Sequence, residues 1–199
     1  GDRRFRRPAE LAPWSGVREA LELGAPSIQS PRRNEPEPAE DCLFLNIWTP
    51  ATDGGKRPVM FYNHGGGFVI GSLDTHDSVC RMLANQADCI VVSVDYRLAP
   101  EYKFPAAVED CEAALKWVAL HAVEFGADPQ AIAVGGDSAG ANLAAVAAIL
   151  ARDAGHPKLA IQLLIYPCVA PEPETPSHHK FAEGYVLSRN TITWFFRHY

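Results

Sequence analysis

A serine suited to nucleophilic chemistry lies in the middle of the pentapeptide Gly-Asp-Ser-Ala-Gly at 136–140. The pentapeptide follows the apolar run 131–134 and precedes an alanine-rich stretch that favours a helix. A G-x-S-x-G sequence between a strand and a helix is typical of a nucleophile elbow, a tight turn that presents the serine hydroxyl. The small residues of the motif leave room for backbone and substrate to approach. We therefore predict that Ser138 is the nucleophile of an acyl-transfer reaction.

A second motif could stabilise the negative charge that such a reaction develops. The sequence His-Gly-Gly-Gly occupies 64–67, directly after the apolar run 59–62. Glycine N–H groups can converge on an oxyanion without side-chain obstruction, and the first N–H of the helix after the serine has no intrahelical partner. The predicted oxyanion donors are the backbone N–H groups of Gly66, Gly67 and Ala139. Either motif alone could be an ordinary turn or loop, but the two together favour catalysis.

Acid and base partners for this serine are hard to find in the sequence. His64 precedes the nucleophile, and we expect it to hold the glycine loop rather than to act as a base. Asp153 lies fifteen residues further along the predicted helix, about 22 Å from Ser138 at 1.5 Å per residue. His156 lies beyond it. We therefore predict that neither can reach the serine hydroxyl.

Composition excludes several classes of protein. A net charge of −6, a hydrophobic fraction of 47% and a charged fraction of 21% suit a folded domain without a general basic surface for nucleic acid or anionic lipid. An arginine cluster at 3–7 could be a local contact patch or a solvated terminus. No apolar run is long enough to span a membrane. Five scattered cysteines without C-x-x-C spacing predict free thiols rather than a metal site, namely Cys42, Cys80, Cys89, Cys111 and Cys168.

Hydrophobic periodicity predicts strands that alternate with helices. Residues 1–40 and 171–176 are rich in proline and charge and are predicted to be loops. Alternation of strand and helix predicts a parallel sheet covered on both faces. We expect the first two strands to form a hairpin and Ser188 to cap the last helix. The predicted strands are 42–49, 59–63, 89–96, 131–135 and 159–166, and the predicted helices are 77–87, 105–126, 139–154 and a last one after Ser188.

From about Pro58 to Tyr199 the chain resembles the hormone-sensitive-lipase-like carboxylesterases. The segments that carry the resemblance are His-Gly-Gly-Gly-Phe at 64–68, Asp-Tyr-Arg-Leu-Ala-Pro-Glu at 95–101, Phe-Pro-Ala-Ala-Val-Glu-Asp at 104–110 and Gly-Asp-Ser-Ala-Gly at 136–140. The resemblance implies an α/β-hydrolase fold and a serine esterase for short to medium acyl chains, with no cofactor and no metal. It also implies that Ser138 is the nucleophile and that Gly66, Gly67 and Ala139 are the oxyanion donors.

The first part of the chain resembles a different branch, the type-B or cholinesterase-like carboxylesterases. The similar segments lie at 1–8, 12–16 and 40–50, so a boundary between the two resemblances is expected between Pro50 and Pro58. In that branch the cysteine at the Cys42 position pairs with an earlier cysteine, which this sequence lacks. The predicted division is therefore an N-terminal segment at 1–57, a hydrolase core at 58–170 and a partial cap at 171–199.

The resemblance also implies that the triad acid and histidine follow strands beyond 159–166, so we predict that they are not encoded here. The later histidines, His178, His179 and His198, fall in the expected cap segment. We expect a truncated esterase that is weak or inactive. The strand at 159–166 should have an unpaired edge and the last helix an uncovered aromatic face. We therefore expect self-association or dependence on a complementing C-terminal fragment.

The alternative is a non-catalytic module that binds a small ligand, as in gibberellin receptors, which resemble this family and lack a working histidine. The sequence does not determine the acyl and alcohol preferences. It does not determine the compartment either, although it favours the cytoplasm.

Overall fold

A computed structural model describes residue 25, residues 44–171 and residues 175–199 of the chain. The predictions for the loop at 1–40, for the N-terminal resemblance, for Cys42 and for the middle of the linker lie outside these residues. The strands are β1 (Leu45–Trp48), β2 (Arg57–Asn63), β3 (Ile90–Val94), β4 (Ala127–Asp137) and β5 (Leu159–Ile165). The helices are α1 (Asp77–Ala87), α2 (Ala106–His121), α3 (Ala139–Ala154), α4 (Pro176–Lys180) and α5 (Arg189–His198), with short 3-10 turns at Asp74–His76 and Ala122–Phe125.

The strands form one sheet in the order β1-β3-β2-β4-β5. Strand β2 pairs in parallel with both β3 and β4, and β4 pairs in parallel with β5. Because parallel neighbours need crossover connections, the helices between them lie on the faces of the sheet. The predicted α/β-hydrolase architecture, a mostly parallel sheet with helices on both faces, is confirmed.

The predicted hairpin between the first two strands is wrong. Strand β1 pairs antiparallel with β3, in a register that runs from Leu45 opposite Val94 to Trp48 opposite Val91. Both edges of β2 are occupied by β3 and β4, so β1 cannot pair with β2 and instead adds to the outer edge of β3. The sequence pattern suited any antiparallel neighbour, and the competition for the edges of β2 decides the pairing.

The sheet has an apolar cluster on each face, and β3 contributes residues to both clusters. All five residues of β3 are buried, as expected for a strand that is covered on both faces. Val92 and Val94 belong to the larger cluster with α2 and α3, whereas Val91 packs with Trp48 and α1 on the opposite face. Among the described residues, no helix is both long and apolar enough to cross a bilayer.

Helix α5 packs its predicted apolar face against this core. The Ser188 hydroxyl caps the helix by accepting a hydrogen bond from the Thr191 N–H at 3.2 Å, as predicted. Phe196 and Tyr199 pack against the larger cluster, and the Tyr199 ring stacks on Phe68 with centroids 3.9 Å apart. The expectation that this aromatic face lacks cover is therefore wrong, because residues of the core and of the glycine loop cover it.

A buried ion pair joins two of the segments that carry the family resemblance. The Arg97 guanidinium donates to the Asp110 carboxylate at distances of 2.8, 2.9 and 3.0 Å, and the Arg97 backbone N–H donates to it at 2.9 Å. The Asp110 side chain is fully buried and the Arg97 side chain is 12% exposed. The pair therefore attaches the loop after β3 to helix α2 where water cannot compete.

Removing this carboxylate should lower the free energy of unfolding far more than removing an exposed carboxylate on the same helix. We expect Asp110→Ala to lower the free energy of unfolding by about 3–5 kcal/mol, because the Arg97 guanidinium and backbone N–H lose the buried carboxylate that accepts from them. The control is Glu112→Ala, which removes an exposed pair with Lys116 and should cost about 0.3–0.5 kcal/mol. Urea unfolding of both variants measures the difference, and equal losses would contradict the assignment.

Candidate active site

Ser138 occupies the turn between β4 and α3 in a conformation that is rare for a residue with a side chain. Its backbone has φ 54° and ψ −117°, in the region that favours glycine. The Ser138 N–H donates to the Ile165 carbonyl at 2.9 Å, and the Ser138 carbonyl accepts from the N–H groups of Asn142 at 3.1 Å and Cys168 at 3.3 Å. Strand β5 and helix α3 therefore hold the strained turn in place. The serine itself is half-buried rather than enclosed.

The end of β2 lies directly against this turn. A Cβ atom at Gly136 or at Gly140 would collide with the carbonyl oxygen of Asn63. Neither glycine has a positive φ, so the requirement is for space rather than for an unusual backbone conformation. The two glycines of the pentapeptide therefore permit the elbow to sit against the strand that leads into the glycine loop.

The glycine loop folds back on itself immediately after β2. The Gly66 carbonyl accepts hydrogen bonds from the N–H groups of Val69 at 3.1 Å and Ile70 at 3.0 Å. Gly66 has φ 119°, and a Cβ there would collide with the Ile70 carbonyl oxygen. Only glycine can occupy this position without strain. These bonds use the carbonyl of Gly66 and not its N–H group, and the role of Gly66 and Gly67 as oxyanion donors stays a prediction.

His64 holds the start of the loop, as predicted. Its ring is buried and stacks on Tyr96 with centroids 4.3 Å apart, and its Nδ1 lies 2.8 Å from the Gly65 carbonyl oxygen. The Tyr96 hydroxyl donates to the His64 carbonyl at 2.6 Å. These contacts hold the His64 side chain and carbonyl in place and leave the imidazole buried.

A carboxylate next to the nucleophile joins the two motifs. One oxygen of Asp137, Oδ1, accepts hydrogen bonds from the Gly65 N–H at 3.0 Å and from the Tyr62 hydroxyl at 2.9 Å. His76 Nε2 lies 3.3 Å from the same oxygen. A Cβ at Gly65 would collide with the second carboxylate oxygen. The glycine loop is therefore attached to the elbow through the residue that precedes Ser138.

The electrostatics of this cluster favour an ionised carboxylate. Burial alone raises the pKa of Asp137, but the hydrogen bond and charge of His76 and the bonds from Tyr62 and Gly65 outweigh burial, so the pKa lies below its ordinary value. Burial and the neighbouring carboxylate raise the pKa of Tyr62, which therefore stays protonated as a donor. Sequence reasoning missed His76 and Tyr62, because only the fold brings them to Asp137 and their spacing carries no signal.

Four of the acidic and histidine side chains considered above contact other groups. His178 Nδ1 lies 2.6 Å from the Thr175 hydroxyl, His198 Nδ1 lies 2.7 Å from the Trp194 carbonyl, and Asp153 pairs with Arg152. His179 lies beside Arg189. Within residues 44–171 and 175–199, no side chain hydrogen-bonds to the Ser138 hydroxyl. The described structure therefore supplies no general base at hydrogen-bonding distance.

Helix α5 lies over the glycine loop on one side. A Cβ at Gly67 would collide with the ring of Phe195, so this ring rests on the backbone of a predicted oxyanion donor. A separate cleft of about 210 Å³ lies between α4 and α5, and none of its lining residues belongs to the elbow or the loop. The surroundings of Gly67 are thus apolar on the side of α5.

The cysteines behave as structural thiols. Cys80, Cys89 and Cys111 are buried and free, and Cys168 is free and partly buried, which confirms the prediction for these four. Burial raises the pKa of Cys80 to about 12, so this thiol is protonated at neutral pH. In the described part of the chain, no group of three metal-binding side chains could hold an ion.

Comparison with known proteins places the chain in a family. A family model described as alpha/beta hydrolase fold matches residues 60–199. The chain therefore belongs to this family, and its relatives identify the hormone-sensitive-lipase-like carboxylesterase branch that the motifs predicted.

The relatives themselves are esterases. The chain is 52% identical over 153 residues to the Esterase LipI of Mycobacterium tuberculosis, covering 76% of this chain and 48% of that protein. It is 43% identical over 148 residues to an Arylesterase of Saccharolobus solfataricus, covering 74% of this chain and 48% of that one. A solved hyperthermophilic esterase of Pyrobaculum calidifontis matches with a TM-score of 0.76 and 50% identity, covering 79% of this chain and 52% of that one. The chain thus spans about half the length of the curated relatives it matches.

The lowered pKa of Asp137 predicts a pH dependence of stability. A carboxyl whose folded pKa lies below its unfolded value of about 3.9 stabilises the fold above that value, and the contribution disappears as the pH falls through the folded pKa. We expect the wild type to lose more unfolding free energy than Asp137→Asn between about pH 6 and about pH 3.

Urea unfolding across this pH range measures the effect. The matched control is Asp153→Asn, which alters an exposed carboxylate paired with Arg152 and should leave the wild-type slope unchanged. Equal slopes for the wild type and Asp137→Asn would show that the Asp137 cluster does not stabilise the fold.

Proposed function

We propose that the chain carries the nucleophile and the oxyanion donors of a carboxylic-ester hydrolase for short to medium acyl esters. The observation that carries the proposal is the strained conformation of Ser138, held by hydrogen bonds to the Ile165 carbonyl and from Cys168. Strain of this kind persists where the surrounding structure enforces it and is concentrated at reactive sites. Membership of an esterase family supports the same chemistry.

The proposed reaction passes through an acyl-enzyme. The Ser138 oxygen attacks the ester carbonyl carbon, the carbonyl electron pair moves to oxygen, and the serine proton is taken by a base. The resulting oxyanion accepts hydrogen bonds from the N–H groups of Gly66, Gly67 and Ala139. When the carbonyl re-forms, the alcohol leaves with a proton and the acyl group stays on Ser138. Water then repeats the attack, so an acid is released and the serine regains its proton.

The described residues do not supply the base that this reaction requires. Without one, serine hydrolases retain about a thousand- to ten-thousandfold acceleration over water, from oxyanion stabilisation and binding alone. We therefore propose slow hydrolysis by this chain by itself. A C-terminal fragment that brings an acid and a histidine to Ser138 would raise the turnover of p-nitrophenyl acetate.

The division of the chain follows from this assignment. We propose a hydrolase core at 58–170, which holds the elbow and the glycine loop, and a cap-like segment at 171–199, whose helix α5 rests on the loop. The segment 1–57 precedes them, and its likeness to type-B carboxylesterases stays a prediction from sequence.

Labelling by a fluorophosphonate tests the nucleophile directly. We expect the reagent to modify the wild type slowly at one serine and Ser138→Ala not at all, because the oxyanion donors stabilise phosphonylation as they would acylation. The control is Ser177→Ala, which removes an exposed serine and should label like the wild type. Equal labelling of all three proteins, or modification mapped to another residue by mass spectrometry, would refute the assignment of Ser138.

The outer edge of β5 supports a proposal about partners. Among the described residues β5 pairs with β4 only, and Ile161 on this strand is 62% exposed. Unpaired strand edges recruit further strands. We propose that this edge binds either a second copy of the chain or a complementing C-terminal fragment.

A charge at this edge should reduce association of the isolated chain. We expect the wild type to form oligomers in analytical ultracentrifugation and Ile161→Lys to shift the population toward monomer, because edge lysines oppose strand addition. Ile149→Lys is the control, since Ile149 is 48% exposed on helix α3 rather than on an edge. A wild-type chain that is monomeric and unfolds cooperatively would show that the edge does not self-associate.

A further inference from the structure

We propose that His76 and Tyr62 are positioning residues of the site that contains Ser138. They orient the Asp137 carboxylate, which in turn holds the N–H at the start of the glycine loop. The catalytic part of this inference rests on the proposed function, because positioning matters for rate only if the loop stabilises an oxyanion. The attachment of the loop to the elbow is a property of the fold and can be measured without turnover.

The groups that meet at Asp137 come from separate elements. Tyr62 lies near the end of β2, His76 ends the short turn before α1, and Gly65 belongs to the glycine loop. All contact one oxygen of the carboxylate, at 2.9, 3.3 and 3.0 Å respectively. An acceptor on the elbow that receives three donors from the segment that runs from the end of β2 to α1 fixes that segment relative to the elbow.

The chemistry of the acceptor determines which atoms carry protons. An ionised carboxylate can only accept hydrogen bonds, so the tyrosine O–H, the glycine N–H and the imidazole must all donate. His76 therefore carries a proton on Nε2, its nitrogen nearest Asp137. This removes one of the two neutral tautomers and leaves either the Nε2-protonated neutral ring or the imidazolium.

Thr75 accommodates both remaining states of the ring. Its hydroxyl lies 2.9 Å from His76 Nδ1 and 2.9 Å from the Ser72 carbonyl oxygen. One hydroxyl proton cannot serve both acceptors. In the neutral state Thr75 donates to Nδ1, and in the imidazolium state Nδ1 donates to Thr75, which then donates to Ser72. In either state the imidazole keeps its bond to Asp137, so the carboxylate remains held.

The position of the contact explains why it would matter for catalysis. Gly65 immediately precedes Gly66 and Gly67, the proposed oxyanion donors, and Asp137 immediately precedes the nucleophile. A shift at this contact therefore moves the donors relative to the serine oxygen. Oxyanion donors act within about 0.5 Å of their productive geometry, so a small rotation of the carboxylate suffices to lower the rate.

Hydrogen exchange at the Gly65 amide, compared with exchange at Val92 in the centre of β3, tests the attachment. We expect His76→Ala and Tyr62→Phe to speed exchange at Gly65 about tenfold more than at Val92, because each removes a donor that holds the acceptor of this amide. In the same variants the rate of fluorophosphonate labelling of Ser138 should fall about tenfold.

The matched control is His121→Ala, which removes a histidine paired with Glu124 at 2.7 Å on the exposed end of α2. It should change neither measurement. Equal acceleration of exchange at Gly65 and Val92 in the His76 and Tyr62 variants would mean that these residues only stabilise the fold, and it would overturn the inference. A wild type that is not labelled at all would instead refute the proposed function, while the exchange data would still decide the attachment.

Discussion

The close approach of the end of β2 to the nucleophile turn is the constraint on which the site depends. The Asn63 carbonyl occupies the space where side chains at Gly136 and Gly140 would lie. This contact brings the glycine loop, which starts at the next residue, beside the first turn of α3. The first N–H groups of a helix have no intrahelical partner, so the two segments proposed to supply oxyanion donors lie side by side because two backbones touch.

Backbone contact alone would leave the loop free to rotate, and buried carboxylates supply the orientation. Asp137 ties the glycine loop to the elbow, and Asp110 ties the loop after β3 to α2 through Arg97. In both cases an acceptor-only group receives several donors, so its orientation is determined by partners on different elements. The glycine loop is thus held at Gly65 by a charge-assisted hydrogen bond, and the aromatic contacts of His64 and Gly67 add to it.

The elements could be predicted from sequence because their patterns are local, whereas the contacts that complete the site are not local. Continuous apolar runs identified β3 and β5, and small residues around Ser138 identified the elbow. The partner of β1 could not be read from its own sequence, since it depends on which edges β2 has left open. His76 could not be identified as a site residue, because no local pattern connects it to Asp137, which follows sixty-one residues later. The covered face of α5 was misjudged for the same reason, since Phe68, which stacks on Tyr199, belongs to a distant loop.

The slow chemistry proposed for the chain and its proposed association share one structural origin. Neighbouring parallel strands bring their carboxyl ends to one edge of a sheet, where ligands and reactive groups meet. Strands β2 and β4 supply the loop and the elbow there, and the segment after β5 contacts the Ser138 backbone through Cys168. A strand added beyond β5 would end at the same edge, and its following loop could reach the serine hydroxyl. Among the described residues, the outer edge of β5 pairs with no strand and the Ser138 hydroxyl has no base at hydrogen-bonding distance. A segment that pairs with this edge and carries an acid and a histidine would supply both a strand and a base.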